Sequence, residues 1–291
     1  MTKAPISNPI SARTLRDPGI RKILLYSFMG IMALLTLFPF YWEFVLATHS
    51  TGDISGGTPQ LFFGAELINN YKTMIEYIPY FWRSMLNSFI IAAPTTVVTV
   101  FFSALGGFAF ARYQFKAKEK LFWIMLATMM IPGQLGLIPW YIQMTWMGWT
   151  NTFWPFIVPA IGSAFGVFWM RQYISSAIPA ELFDAARIDG CSEFGMFWRI
   201  ALPIAAPAAG ALAITTFIGG WNAFLGPLVV MQSPDMYTYA VALANLRGVH
   251  GTDTGALLIG SSIATIPMLI VTIFGARRII DGLAAGALTG Q

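Results

Sequence analysis

Long stretches without a single charged side chain constrain this sequence more than any motif does. No Asp, Glu, Lys or Arg interrupts residues 23–42, 84–111, 121–170, 200–234 or 254–276. Crossing a hydrocarbon core as a helix takes about 20 apolar residues, and residues 121–170 are long enough for two crossings. Gly148, Asn151 and Thr152 supply the turn between them. The pattern therefore predicts an all-α polytopic membrane protein with six spans, near 23–46, 87–111, 121–143, 153–170, 205–231 and 256–274. Only 10% of the 291 residues are charged. A soluble domain carries roughly 25%, so a water-exposed surface could not be covered.

The basic residues fall where topology requires them, so the net charge of +4 is not a nucleic-acid signal. Lys3, Arg13, Arg16, Arg21 and Lys22 precede the first span. Arg112, Lys116, Lys118 and Lys120 follow the second, Arg171, Arg187 and Arg199 follow the fourth, and Arg277 and Arg278 follow the sixth. Lys72, Arg83 and Arg247 lie on the other side. The positive-inside rule then places both termini in the cytoplasm. The first apolar run is too long for a signal-peptide core and lacks a small-residue cleavage site, so it reads as a retained helix. The chain divides into an N-terminal cytoplasmic tail (1–22), a first span with its external segment (23–83), a permease-like core (84–277) and a C-terminal tail (278–291). Within the external segment, Leu67, Tyr71, Met74 and Ile78 have the spacing of an amphipathic surface helix.

Several residues break helix regularity or offer hydrogen bonds at membrane depth: Pro132, Gln134, Thr215, Trp221 and Asn222. Aromatic faces pack on sugar C–H surfaces and amides meet hydroxyls, so these are candidates for a solute pathway. Packing between helices is the plainer use of each. The proline in Ile131-Pro132-Gly133-Gln134 also frees a backbone carbonyl, so this break is expected to face protein or water rather than lipid.

The largest cytoplasmic loop, residues 173–203, is polar and helix-forming. Pro179 suits a first helical position, while Glu181 and Asp184 place negative charge in the first turns. Gly190 fits a left-handed stop, and Ser192 can cap a second short helix ending before Pro203. On the first helix Leu182, Ala185, Ala186 and Asp189 share one side. Phe194, Phe197 and Trp198 form an aromatic patch on the second. A well-capped linker packed beneath the bundle would have the same features.

Asp184-Ala185-Ala186, Asp189-Gly190-Cys191 and Ile200-Ala201-Leu202-Pro203 resemble the EAA loop of bacterial ABC importer permeases. Asp184 stands for the usual Glu and Cys191 for the usual Ala. Further stretches match, namely Asn70-Tyr71, Asn87-Ser88, Phe108-Ala109-Phe110-Ala111-Arg112, the Pro132 segment, Trp221-Asn222 and the run from Gly282 to Ala287. Together they are similar to the maltose-type carbohydrate importer permeases, with their MetI-like fold. The resemblance implies one half of a pore made by two non-identical permease subunits, served by an extracellular or periplasmic solute-binding protein and a dimer of cytosolic ATP-binding subunits. It also implies that Glu181, Asp184, Ala185, Ala186, Asp189, Gly190, Phe194, Phe197, Leu202 and Pro203 dock in a cleft of the ATPase, Asp184 pairing with a basic residue there. The tail around residues 286–291 is implied to reach the same interface.

This chain has no G-x-x-x-x-G-K-[ST] loop, so ATP and Mg are expected on the ATPase and no cofactor on this chain. Proton-coupled carriers use buried ionisable relays. Glu43, His49 and His250 lie only at or beyond the outer boundary, which counts against a secondary sugar transporter. An intramembrane enzyme would need a catalytic group at depth, and none is visible. Cys191 has no histidine on its side of the membrane to activate it. A permease for a non-sugar solute remains the alternative.

Overall fold

The uncharged runs become helices, and proline and glycine decide where those helices break. The computed structural model describes residues 18–249 and 253–288. The expectations for Lys3, Arg13, Arg16, His250 and the last three residues of the tail lie outside the described residues. No strand occurs among those described.

In chain order the elements begin with α1 (Pro18–Leu46), α2 (Thr51–Ser55), α3 (Leu67–Tyr77), α4 (Phe81–Arg112) and α5 (Lys118–Thr128). After a 3-10 turn at Gly133–Gly136 come α6 (Leu137–Trp146) and α7 (Trp154–Ile157). A second 3-10 turn, Pro159–Gly162, leads to α8 (Ala164–Ala177), α9 (Ala180–Ile188) and α10 (Glu193–Met196). A π-helical turn, Phe197–Ala201, precedes α11 (Leu202–Ile204) and α12 (Ala206–Trp221). The chain closes with α13 (Leu225–Val230), α14 (Tyr239–Val249) and α15 (Thr254–Leu288).

Among the described residues three helices are long and apolar enough to cross a membrane: Arg21–Leu46, Phe81–Arg112 and Thr254–Gly275. Two bent helix pairs would bring the number to five if each were a single span. Lys118–Thr128 meets Gly133–Trp146 at 86°, and Glu193–Ile204 meets Ala206–Trp221 at 75°. The span expected near 153–170 is not one helix. Pro155, Pro159 and Gly162 break its first half into α7 and a 3-10 turn, and Ser163 caps a new start by accepting from the Gly166 amide. α8 then runs on to Ala177, seven residues past the expected end. Its 14 residues span about 21 Å at 1.5 Å each, short of the roughly 30 Å hydrocarbon core.

Broken backbone at this depth needs internal partners, and α4 provides them. Thr95 and Thr99 donate to the carbonyls of Phe156 and Ala160 at 3.3 and 3.4 Å. Lower down, the small-residue stripe of α4 lets α8 approach closely. A methyl group on Gly107 would sit 2.6 Å from the Met170 Cβ, so only glycine fits there. α4 thus packs against both α8 and α12, and α12 packs in turn against α15.

Two buried amides tie the end of the bundle that begins α4. Asn70 donates to the carbonyls of Ala47 and His49, fixing α3 under the segment that follows α1. Asn87 donates to those of Asp235 and Tyr237, and Ser88 accepts from the Tyr239 amide. The surface helix expected around 67–78 is α3, with Asn70 and Met74 on its buried face. The Gly- and Ala-rich stretch expected as a tail instead continues α15 as helix to Leu288.

Candidate functional site at residues 178–205

At the opposite end of the bundle, where α4 ends, residues 178–205 build a compact projection. Pro179 is the N-cap of α9 rather than its first helical residue. Asp189 ends the helix and Gly190 takes φ +78°. The Gly190 amide donates to the Arg187 carbonyl at 3.1 Å, and the Cys191 amide reaches back to Ala186 at 2.9 Å. This is a complete Schellman stop, in which the left-handed residue satisfies two carbonyls that the helix end leaves open. Ser192 then caps α10 by accepting from the Gly195 amide at 3.1 Å.

The second helix does not stop before Pro203. Its register slips at Phe197, where the Leu202 amide donates five residues back to the Phe197 carbonyl. Pro203 follows as an early residue of α11. A π turn leaves room for a residue without an N–H, so the helix passes through the proline to Ile204. The actual break is at Ala205, after which α12 departs at 75°.

Two phenylalanines root the projection. Phe183 is 2% exposed, its ring 5.6 Å from that of Phe108 on α4. Phe197 is 1% exposed and packs on Phe108 and Phe101 at 5.7 and 6.2 Å. Phe197 is therefore interior to this chain and cannot enter a partner's cleft. Its i+3 spacing to Phe194 on a helix disguised opposite roles. Phe194 and Trp198 stay exposed, at 58% and 44%, as do Glu181, Leu182, Ala185, Ile188, Asp189 and Pro203. Ala186 and Leu202 are half-buried. Phe183 was not among the candidates, although its position, out of phase with the Leu182-Ala185-Ala186-Asp189 side, marked it as facing the other way.

Charge pins the same helices to the end of α4. Arg112, the last residue of α4, donates to Asp184, and Arg187 lies 3.7 Å from the same carboxylate. Arg187 also donates to Glu193 at 2.7 Å, and the Tyr113 hydroxyl donates to the other Glu193 oxygen at 2.5 Å. Asp184, implied to pair with a basic residue of the ATPase, is engaged by its own chain while its side chain stays 59% exposed. The reason is that Arg112 and Tyr113, 72 and 80 positions away from their partners, are folded back over α9 and α10. The Arg112 guanidinium also lies 5.2 Å over the Phe183 ring, a cation–π contact that couples the polar and apolar anchors.

Burial and the hydrogen bond to Glu193 push the Tyr113 hydroxyl up to about 12, so it remains a donor at any physiological pH. Donation from Tyr113, then from Arg187, holds the Glu193 carboxyl below its ordinary 4.5. A depressed carboxylate contributes stability that is complete above the unfolded value and lost as pH falls through the folded one. Amide exchange in residues 186–196, corrected for intrinsic pH dependence, should therefore be flat from pH 8 to 5 and rise only below about 4.5. A rise near pH 6.5 would show that another group controls the clamp.

The five pathway candidates separate. Trp221 is 3% exposed, donates to the Ala264 carbonyl at 3.1 Å and stacks on Phe217. It is a packing residue between α12 and α15, not a wall of a pathway. Thr215 donates back to Ala211 and Leu212 within its own helix. Asn222 is exposed and accepts from the Tyr239 hydroxyl at 2.5 Å. Pro132 and Gln134 are exposed at the 86° bend, and the apolar side chains beside them, Met130 and Ile131, are 85% and 65% exposed. This chain therefore does not itself cover the break. The structure does bring the bend near Pro132 against the turn between α12 and α13: Gly133, Gly136 and Trp140 face Ala223, Gly226 and Pro227 across a concavity of about 380 Å³. Trp221→Phe is expected to lower the thermal stability of the assembled protein and leave its solute selectivity unchanged; altered selectivity would return Trp221 to the pathway.

Known proteins match this chain along most of its length. The chain is 35% identical over 264 residues to the arabinooligosaccharides transport system permease protein AraQ of Halalkalibacterium halodurans, covering 90% of this chain and 94% of that one. It is 33% identical over 264 residues to the lactose transport system permease protein LacG of Rhizobium radiobacter, with 90% and 94% covered. In fold it matches a chain of a bacterial ABC transporter involved in the import of the acidic polysaccharide alginate. That match has a TM-score of 0.75 at 21% identity, covering 94% of this chain and all of the other. The profile of the binding-protein-dependent transport system inner membrane component matches residues 20–284. From α1 through the capped projection to α15, this chain belongs to that family of transport permeases.

Proposed function

We propose that this permease is one of two non-identical membrane subunits of an ATP-driven carbohydrate importer, inserted with six spans and both ends cytoplasmic. The observation that carries the coupling role is the 178–205 projection. It is capped at both helices, rooted by buried phenylalanines, and still presents Leu182, Ile188, Phe194 and Trp198 outward. A rigid knob with an apolar tip is what a cytosolic ATPase needs to move a membrane helix: α12 follows it directly, so a push on the knob reaches the bilayer-crossing core. ATP and Mg sit on that ATPase, and this chain contributes force transmission and its half of the membrane pathway.

The second permease subunit is the natural cover for the Pro132 break. Exposed backbone bends with flanking apolar side chains are stable at membrane depth only against protein or a water-filled path. The concavity of about 380 Å³ is lined by Gly133 and Ala223, the chain neighbours of Pro132, Gln134 and Asn222, and these three exposed residues are the pathway candidates that remain. Sugars are favoured as cargo because AraQ, LacG and the alginate importer all handle saccharides. The segments at 48–83 and 233–253 offer surfaces for a solute-binding protein. A permease for a non-sugar solute is the alternative.

The test is reconstitution of the assembled complex in liposomes with its ATPase and binding protein. Oligosaccharides should stimulate ATP hydrolysis and enter the vesicles, whereas stimulation only by amino acids or ions would overturn the carbohydrate reading. Cysteine placed at Ala185 should crosslink to the ATPase subunit; crosslinks confined to this chain would make residues 178–205 a mere linker.

A further inference from the structure

Between α2 and α3 the chain exposes Leu61, Phe62 and Phe63 in succession, at 46%, 82% and 63%. They sit in a twelve-residue run, 54–65, that holds no charged residue. Such a patch facing water would be costly, since each large apolar side chain left exposed forgoes about 1.5–3 kcal/mol of burial. The loop's backbone is also dry in design. Three successive carbonyls are each met by a side chain: Gln60 by the Trp42 indole at 2.8 Å, Leu61 by the Tyr41 hydroxyl at 2.7 Å, and Phe62 by the His49 ring at 2.8 Å. A solvated loop needs no such partners, because water fills those positions.

The loop cannot drift from this position. Gly64 donates to the Thr48 hydroxyl at 2.7 Å, and the Glu66 amide to the Thr48 carbonyl at 2.9 Å. A Cβ on Gly64 would lie 2.5 Å from that carbonyl. The rings of Tyr41 and Phe63 meet edge to face at 6.0 Å, and Phe38 extends the aromatic cluster along α1. The apolar window of α1 has a mean hydropathy of 2.1 and none of it is buried within this chain. Apolar helix and aromatic loop therefore form one continuous surface.

We infer that residues 58–64 are an interfacial anchor: Leu61, Phe62 and Phe63 seat in the headgroup and upper acyl region of the lipid bilayer beside α1. The occupant is lipid rather than the solute-binding protein because Leu61, Phe62 and Phe63 join a membrane helix from within a run, 54–65, that carries no charged residue. Tyr and Trp hydrogen-bonded at an apolar boundary are also the side chains that membrane interfaces favour. Part of the outer segment proposed above as a docking surface is thereby committed to the membrane. The anchor would fix the height and tilt of α1, which has few contacts to hold it within this chain.

The inference rests on the proposed topology only for which leaflet is used, and the experiment separates the two. In a Cys191→Ser background of the assembled complex in liposomes, Phe62→Cys and Ser55→Cys are each labelled with a nitroxide. At Phe62→Cys the ratio of collisions with molecular oxygen to collisions with an aqueous nickel chelate should exceed that at Ser55→Cys severalfold. Equal ratios would place the loop in water, and protection from both reagents would place it under a protein; either overturns the inference. A membrane-impermeant thiol reagent at Ser55→Cys reports the side separately, so an inverted chain is distinguished from a wet loop.

Discussion

Gly190→Pro is expected to leave this permease in the membrane and to abolish ATP-driven uptake. The substitution lies outside every apolar run, so insertion is decided elsewhere. At the site itself the damage is twofold. Gly190 holds φ +78°, whereas proline is locked near −65°, and the amide that donates to Arg187 at 3.1 Å disappears. Nothing lies within 4 Å of a Cβ built at this position, so the penalty is one of backbone conformation and not of crowding. That makes a graded series possible. Asparagine tolerates the left-handed region, alanine costs about 1–2 kcal/mol there, and proline cannot adopt it. Uptake into proteoliposomes should fall in the order Gly, Asn, Ala, Pro, while basal ATP hydrolysis by the complex persists. Normal uptake by the proline variant would remove the reason for regarding the Schellman stop as part of the coupling path.

Phe183→Ala should be the most damaging single change in the projection that leaves its outward face untouched. Truncating a buried phenylalanine costs about 3–5 kcal/mol, whereas an exposed ion pair is worth about 0.2–1 kcal/mol. Asp184 and Glu193 are 59% and 50% exposed, so the charge clamp sets orientation while the rings supply the holding energy. At 1.4 kcal/mol per factor of ten, amide exchange across α9 and α10 should accelerate by roughly a hundredfold or more in Phe183→Ala, with α12 and α15 unchanged. Arg112→Ala should have a smaller effect, and Asp184→Ala a smaller one still. The reverse ranking would mean that the ion pairs, not the rings, hold the knob.

Much of this was readable from residue order because it is local. Gly190 as a left-handed stop and Ser192 as a cap depend on a few neighbouring residues, and both occur where the sequence puts them. Charge-free runs marked the long helices for the same reason. The departures from local pattern share a cause of the opposite kind. Pro203 looked like a stop because proline ordinarily ends a helix, but a π turn begun at Phe197 accommodates it. Phe194 and Phe197 looked like one patch because both are aromatic on one short helix. Only the position of Phe108, 89 residues earlier in the chain, makes one interior and the other exposed. Trp221 was indistinguishable from a sugar platform until the Ala264 carbonyl appeared against its indole.

The sequence by itself determined that this chain is helical and built for a membrane, where its capped projection starts and stops, and which family motif that projection carries. Each follows from hydrophobic transfer and backbone conformation, which act within a few residues. The tertiary structure alone decided which side chains of the projection hold it and which remain free to touch a partner, and that Asp184 is engaged from within. Those assignments depend on α4 being laid beneath α9 and α10. Burial and ion pairing between distant segments are properties of that placement, which no local pattern encodes.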